Sequence, residues 1–341
     1  MLSQQFKLAL EELARNGVCI GTSSWKYPGW CGQLYDEQRY LTRGKFSEAK
    51  FERECLGEYA QTFSTVCVDA GYYHFLSDKW IGGLCAQVLD HFRFGFKVTD
   101  EITVKKFPNL PRFGARAGTA NSNFLNPELF ERQFLNPLEP HRQKIGPLIF
   151  EFSTFHKADF EHGRDFVAAL DQFLGAIPKG WEYGIEMRNK TWLEPECFET
   201  LHRQKIAHVF NSWSRMPPVN EQLAMPESVT TDFLVARFLL TPGRTYEQAV
   251  SAFSPYTETK EPDAVAREAG KALIAKAERG KRPSFIYVNS LQIVKLLVVH
   301  QRESQVLDRG LFEFCLLALP LRPAADVMDE RAFRPFRLRV L

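Results

Sequence analysis

EYGIEMR (182–188) is a short apolar run that closes on charge, and the fold turns on how often that pattern recurs. Seven other stretches share it: VCIGTS (18–23), TVCVDA (65–70), FRFGFK (92–97), PLIFEF (147–152), AHVFNS (207–212), FLVARF (233–238) and SFIYVN (284–289). Several are nearly continuous hydrophobics, the pattern of strands buried on both faces of a parallel sheet. Most intervening segments are long enough for a helix, so the chain reads as repeated β-α units. Eight such units predict an α/β fold, a TIM-like (β/α)8 barrel. In that fold functional groups gather at the C-terminal ends of the strands and in the loops after them.

The length of 341 residues suits one barrel with insertions, since such barrels take about 250 residues. Residues 1–300 are predicted as a single barrel domain, opened by a helix at about 3–16. There Phe6, Leu10 and Leu13 share a face and Asn16-Gly17 ends the helix. Residues 301–341 read as a C-terminal extension of weak periodicity. Three punctuated stretches read as loop insertions at the C-terminal face: 26–57, 99–145 with its five prolines, and 241–262. Further helices are expected at 163–176, at 263–280, from Pro195 onward and over LQIVKLLVV (291–299).

The net charge of +2 makes no global case for nucleic acid or an acidic membrane. Seven dispersed cysteines without C-x-x-C spacing point to reduced thiols and a cytoplasmic protein. Cys19 and Cys67 lie inside apolar runs and read as core. Glu11, Glu12 and Arg15 interrupt any signal-peptide apolar region. No stretch reaches the ~18 apolar residues of a membrane-spanning helix.

In Glu186-Met187-Arg188, alternation points the carboxylate and the guanidinium the same way, beyond the strand end. They are either a salt bridge that locks the barrel top or functional groups. Lys97 closes the third strand, where desolvation can lower its pKa or where it can hold an anion. Asp69 closes the second strand, and Asn211 and Ser212 close the sixth. Arg237 interrupts an apolar strand. A buried Arg needs a partner, so it pairs with Glu151, Glu186 or Asp69, or binds a ligand anion. GTSSWKYPGW (21–30) offers hydroxyls and the rings Trp25, Tyr27 and Trp30, suited to walling a pocket or to plain packing. Tyr72, Tyr73 and His74 follow the second strand, and Tyr246 and Tyr256 follow the seventh.

Two groups read as bland. His156, Asp159, Glu161 and His162 could ligate a metal, but they precede a helical pattern and read as polar first-turn residues. Arg112, Gly114, Arg116 and Gly118 hint at a flexible phosphate loop without matching a P-loop or a dinucleotide fingerprint. No metal site is expected. No haem, flavin, nicotinamide or iron–sulfur motif is legible, and the cofactor is left open.

The order GTSSWKYPGW, FSTVCVDAGYY, FRFGFKVTDEIT, IGPLIFEF, EYGIEMRNKTW and VARF resembles the YecE-like family, domain of unknown function family 72, over residues 17–290. The resemblance implies a TIM-type barrel of unassigned activity. It also implies a shared mouth built from Trp25, Tyr27, Pro28, Trp30, Tyr73, Lys97, Glu186, Arg188, Trp192 and Arg237. The chain departs from the family pattern in several places. Cys67 stands where an acidic residue is usual, Asp69 where Asn is usual, Asn189 and Leu239 where His is usual, and Ser290 where Asn is usual. Fewer acid–base or metal groups remain than the resemblance implies. The likeness stops after Asn289, as a divergent tail or a shifted reading frame would make it.

Three functions fit these residues, and enzyme or binding protein stays open. The first is a site for a small anionic ligand, phosphorylated or sugar-like. Glu186, Lys97 and Arg188 are its catalytic candidates. Trp25, Tyr27, Trp30, Asp69, Tyr73, Trp192, Asn211, Arg237 and Tyr246 are its ligand-binding candidates. A carboxylate paired with a guanidinium stays ionised, so Glu186 is expected as a base or an electrostatic group rather than an acid. The second function is a nucleic-acid-binding or phosphodiesterase-like barrel, a fold-level analogy. The third is a non-catalytic binding or scaffold protein.

Overall fold

The computed structural model describes Leu2 and residues 4–213, 215–239 and 264–288. Tyr246, Tyr256, the insertion at 241–262, the helix expected at 291–299 and the C-terminal extension lie outside the described residues.

The eight apolar runs form one closed barrel of parallel strands. They are β1 Val18–Thr22, β2 Thr65–Val68, β3 Arg93–Lys97, β4 Ile145–Glu151, β5 Tyr183–Glu186, β6 Ala207–Asn211, β7 Leu234–Phe238 and β8 Ser284–Val288. Each strand pairs with the next in the chain, and β8 closes the ring on β1, from Val18 opposite Ser284 to Thr22 opposite Val288.

The near-continuous hydrophobicity has a direct structural cause. One face of each strand packs outward on the helices through residues such as Val66, Phe94, Phe96, Leu148, Phe150, Ile185 and Phe210. The other face fills the barrel with Cys67, Ile149, Ala207, Val209, Val235, Phe285 and Tyr287. Tyr287 reaches across to β3, where a Cβ on Gly95 would lie 2.1 Å from its Oη. Only glycine fits there. Gly21 allows a second close approach, since a Cβ would lie 1.9 Å from Thr65 O. Beside it the Tyr59 hydroxyl accepts from Thr22 N–H (2.9 Å) and donates to Thr65 O (3.0 Å), joining β1 to β2.

The helices start and stop on local signals. The first, α1 (Gln4–Arg15), buries Leu10 and Leu13, and the chain turns away at Gly17 with φ of 84°. The next, α2 (Glu48–Tyr59), is capped by Ser47 Oγ, which accepts from Lys50 N–H. A short α3 (Asp78–Cys85) links β2 to β3. The long α4 (Gly163–Ala176) buries Phe166, Val167, Leu170, Phe173 and Leu174 as one stripe. Pro195 opens α5 (Pro195–Gln204), and Lys205 ends it with φ of 59°. A single short α6 (Val219–Ala224) lies between β6 and β7, and α7 (Ala264–Gly280) precedes β8.

The two described insertions are irregular, as their prolines and glycines require. The first holds two 3-10 turns and a hairpin of Leu41–Thr42 with Lys45–Phe46. The second, between β3 and β4, is a series of short turns rather than one helix. One expectation needs correcting. His156, Asp159 and Glu161 are not first-turn residues, because α4 begins at Gly163. His162 is the residue that caps it, with its N–H donating to Asp165 Oδ2 (2.9 Å), and His156 and Asp159 form a separate turn before it. No described helix is long and apolar enough to cross a membrane.

Candidate functional site

Polar side chains ring the C-terminal end of the barrel, one pleat above its apolar filling. Asp69 follows β2, and Lys97, Glu151, Glu186, Asn211 and Arg237 come from β3 to β7. Arg188 lies two residues beyond Glu186. Alternation puts each of them on the inner face, two residues after Cys67, Gly95, Ile149, Gly184, Val209 and Val235 in turn.

The charges in this ring are paired. Lys97 Nζ lies 2.9 Å from Glu151 Oε2 and 3.8 Å from Asp69 Oδ1. Arg188 Nη2 is 2.8 Å from Glu151 Oε2 and donates to Glu186 Oε1 at 3.0 Å, with Nε donating to the same oxygen at 3.2 Å. Arg237 Nη1 donates to Glu151 Oε2 at 2.7 Å and to Glu186 Oε2. Three cations thus face three carboxylates, and Glu151 is the hub that all three cations touch. The alternatives left for Arg237 resolve in favour of all three carboxylates, since its Nη2 is also 3.8 Å from Asp69 Oδ1.

Position within the ring sets each group's acidity. Burial pushes the Glu151 carboxyl up, but Lys97, Arg188 and Arg237 outweigh it and hold its pKa below the ordinary value. Burial opposes the charge on Lys97, yet Glu151 and Asp69 more than compensate and raise its pKa. Asp69 goes the other way. Burial raises its pKa, and the more distant Lys97 and Arg237 do not offset that. Below the ring, burial pushes the Cys67 thiol up to about 12, so it stays protonated core, as its apolar run implies.

Two polar atoms in this lattice are left over. Asp69 Oδ1 and Arg237 Nε are shut off from solvent and make no hydrogen bond. Beside them, Trp213 lies over Arg188, with Cζ 4.2 Å from the ring centroid, and its own Nε1 is buried without a partner. Tyr72 covers Lys97, whose Nζ is 4.1 Å from the ring centroid.

The other expected site residues are placed differently. Asn211 is buried in the ring, but its side chain is spent on the backbone: Nδ2 donates to Met187 O (3.0 Å) and Oδ1 accepts from Trp213 N–H (3.2 Å). Gln222 holds Asn211 in turn, with Nε2 donating to Asn211 O (2.7 Å). Tyr27 and Trp30 meet edge to face, and Trp30 packs on Tyr35 inside the first insertion, with Pro28 opening the turn. Trp25 is buried, accepts at its carbonyl from the Tyr35 hydroxyl, and keeps an unpartnered Nε1. Trp192 stacks on Phe155 and Phe166 over α4. Tyr73 is 59% exposed, and its neighbour Tyr72 is the one that reaches Lys97.

Glu151 and Trp213 are ring residues absent from the sequence-derived site candidates, and Tyr72 takes the place expected of Tyr73. Glu151 had a usable signal. It closes an apolar strand two residues after Ile149, as Lys97 and Glu186 close theirs. Among the described residues no group of three or more His, Cys, Asp or Glu side chains is placed to hold a metal. A groove of about 400 Å³ lies outside the barrel between the second insertion and α4, lined by Lys105, Phe124, Phe160 and Phe173, and it contains no ring residue.

The chain is similar to two crystal structures. A DUF72 family protein from Enterococcus faecalis V583 matches with a TM-score of 0.51 at 17% identity, covering 89% of this chain and 100% of that one. A DUF72 family protein from Thermotoga maritima MSB8 matches with a TM-score of 0.51 at 18% identity, covering 83% of this chain and 98% of that one. At such identities the likeness speaks for the fold. No curated protein matches the chain. The family model described as protein of unknown function DUF72 matches residues 19–292, most of the chain and every strand of the barrel. The chain therefore belongs to the DUF72, or YecE-like, family.

Proposed function

We propose that the barrel mouth binds a small hydroxylated anionic molecule, sugar-like or phosphorylated, and that Asp69 moves protons there. The observation that carries this reading is the pair of unsatisfied atoms in a lattice otherwise paired, Asp69 Oδ1 and Arg237 Nε. Leaving a buried polar atom without a hydrogen bond costs roughly 1–3 kcal/mol. An unpaired acceptor 3.8 Å from the guanidinium that carries the unpaired donor fits a ligand hydroxyl that enters once the cover over them moves. A carboxyl whose pKa is raised by burial, beside two cations at the barrel mouth, suits acid–base work.

The base role expected of Glu186 passes to Asp69 in this reading. Both Glu186 oxygens are occupied by guanidinium groups, which makes it the anchor of Arg188 and Arg237. The nucleic-acid alternative is weakened by the pairing of Lys97, Arg188 and Arg237 with carboxylates, because phosphate tracking relies on cations that are free to replace counterions. The scaffold alternative keeps one specific support, the balance of three cations and three carboxylates.

The test is a thermal-shift screen against sugars, sugar phosphates and nucleotides, on wild type, Asp69→Asn and Arg188→Ala. A ligand that binds only the folded state raises Tm by mass action. The reading predicts a hit that both variants weaken and that wild type slowly transforms. A screen with no hit, or a hit that both variants bind unchanged, removes it in favour of the scaffold.

A further inference from the structure

Residues 104–121, within the insertion between β3 and β4, fold as a flap with a small core of their own. Val104, Phe107 and Phe113 are buried together, with Ala117 against them, separately from the main core. Backbone bonds close the flap: Phe107 N–H donates to Thr119 O (3.0 Å), Gly118 N–H to Phe107 O (3.0 Å) and Asn121 N–H to Lys105 O (2.9 Å). The Asn121 side chain ties the base down by donating to Glu101 O (2.8 Å) and Val104 O (2.7 Å). Gly114 and Gly118 turn with φ of 52° and 74°, a region that glycine adopts without strain.

Arg112 reaches from this flap to the border of the ring. Its Cζ lies 4.3 Å from the Phe113 centroid, 5.0 Å from that of Tyr73 and 5.7 Å from that of Tyr72. Tyr72 is the ring that also covers Lys97. Arg112 Nη2 is 3.5 Å from Asp100 Oδ2, a long ion pair, and its N–H groups donate to no described residue. The side chain is 37% exposed. Arg188 and Arg237 differ, since each guanidinium is already bound to both Glu151 and Glu186. Arg112 is held by aromatic faces and one long ion pair, which leaves the rest of its donor edge free to take an oxyanion.

Charge balance explains why such a residue is needed. The ring's three cations are matched by three carboxylates, so an anionic ligand brings a charge that the ring alone does not neutralise. We infer that Arg112 determines specificity at the mouth: it takes the acidic group, phosphate, sulfate or carboxylate, of a ligand whose other polar groups meet the ring, and the flap of residues 104–121 carries it there. This rests on the proposed reading of the ring as a ligand site. It also gives a use to the loop of arginines and glycines that matches no phosphate-loop motif.

Inorganic phosphate is the probe. Calorimetric titration at fixed ionic strength compares wild type with Arg112→Ala, Arg112→Lys, Arg188→Ala and Arg164→Ala, the last an exposed control. Hydrogen exchange follows the amides of Phe107, Gly118 and Asn121 with and without phosphate. The expected result is binding by wild type and by the control, a loss of about tenfold or more in Arg112→Ala, and partial recovery in Arg112→Lys. Phosphate also slows the three amides in wild type and not in Arg112→Ala. Absence of phosphate binding by wild type overturns the inference, and so does equal binding by Arg112→Ala. The two readings separate cleanly. Loss in Arg188→Ala alone removes the role of Arg112 and leaves the ring as the site. Loss in Arg112→Ala alone upholds Arg112, and the ring reading then stands or falls on the thermal-shift screen.

Discussion

One pleat separates two opposite solutions inside this barrel. At Cys67, Ile149, Val209 and Val235 the inner face is apolar, and at Gly95 and Gly184 it is bare, so that Tyr287 and its neighbours fill the space. Two residues further along the same strands it carries Asp69, Lys97, Glu151, Glu186, Asn211 and Arg237. The lower layer stabilises by excluding water and by close packing. The upper layer costs desolvation of every charge and recovers it only through matched partners, so a buried lattice of this kind adds little net stability over an apolar one. A fold that needed only a plugged barrel would continue the lower layer upward. In the proposed reading the charged layer, with Asp69 Oδ1 and Arg237 Nε unsatisfied, is assigned to a ligand and the apolar layer to the fold.

The sharpest way to break that contrast is at the hub. Glu151→Ala leaves Lys97, Arg188 and Arg237 each short of a carboxylate, and removing one partner from a buried pair costs about 3–5 kcal/mol. Urea denaturation is expected to show a loss of that size. A loss below about 1 kcal/mol, the range of exposed ion pairs, means that water reaches the ring and that the two layers are not distinct. The lower layer is probed at Gly95. Gly95→Ala drives a Cβ into the Tyr287 hydroxyl, and overpacking of this kind costs about 1–3 kcal/mol. Tyr287→Phe in the same background removes the hydroxyl and is expected to restore part of the loss. If it restores nothing, the interior adapts by another route.

The two layers also differ in how far they are legible in the sequence. A strand buried on both faces must be apolar at every position, so the eight runs from Val18 to Val288 stand out without any partner information. The same alternation places Glu186 and Arg188 on one face, and the need of a buried Arg for a counter-charge points Arg237 to Glu151, Glu186 or Asp69. Loop side chains obey no such period. Tyr72 and Tyr73 are equivalent in sequence, and only the short helix Ala70–Tyr73 turns one over Lys97 and the other into solvent. Trp192, placed at the mouth by the family pattern, is drawn to Phe155 and Phe166 because α4 presents an aromatic face there. Trp213 and Arg112 reach the ring through tertiary packing of the β6 and β3 loops, which no local spacing records. The strand-end position of Glu151 is legible, but one Glu at a strand end carries no sign of how many cations converge on it.

The smallest expected effect is also the most discriminating, because it sets two acidic members of the ring against each other. Glu151 has its pKa lowered, so its charge adds stability above the unfolded value of 4.5, and that stability is withdrawn as pH falls through the folded pKa. Asp69 has its pKa raised, so its contribution is present below the unfolded value of 3.8 and is lost as pH rises through the folded pKa. Above its folded pKa the charge on Asp69 is therefore a cost to the fold. Asp69→Asn is expected to raise the urea midpoint slightly at neutral pH, with the gain vanishing in acid, while Glu151→Gln lowers it at neutral pH, with the loss shrinking in acid. The Asp69 effect is small because only Oδ1 is enclosed, while the side chain as a whole keeps 39% exposure and is screened by solvent. Asn is also the residue that the family pattern implies at this position, so the substitution meets no steric demand. If Asp69→Asn instead destabilises at neutral pH as Glu151→Gln does, Asp69 is one more anchor of the lattice. The acid–base role then has no carrier, and the upper layer differs from the lower one only in the kind of packing it uses.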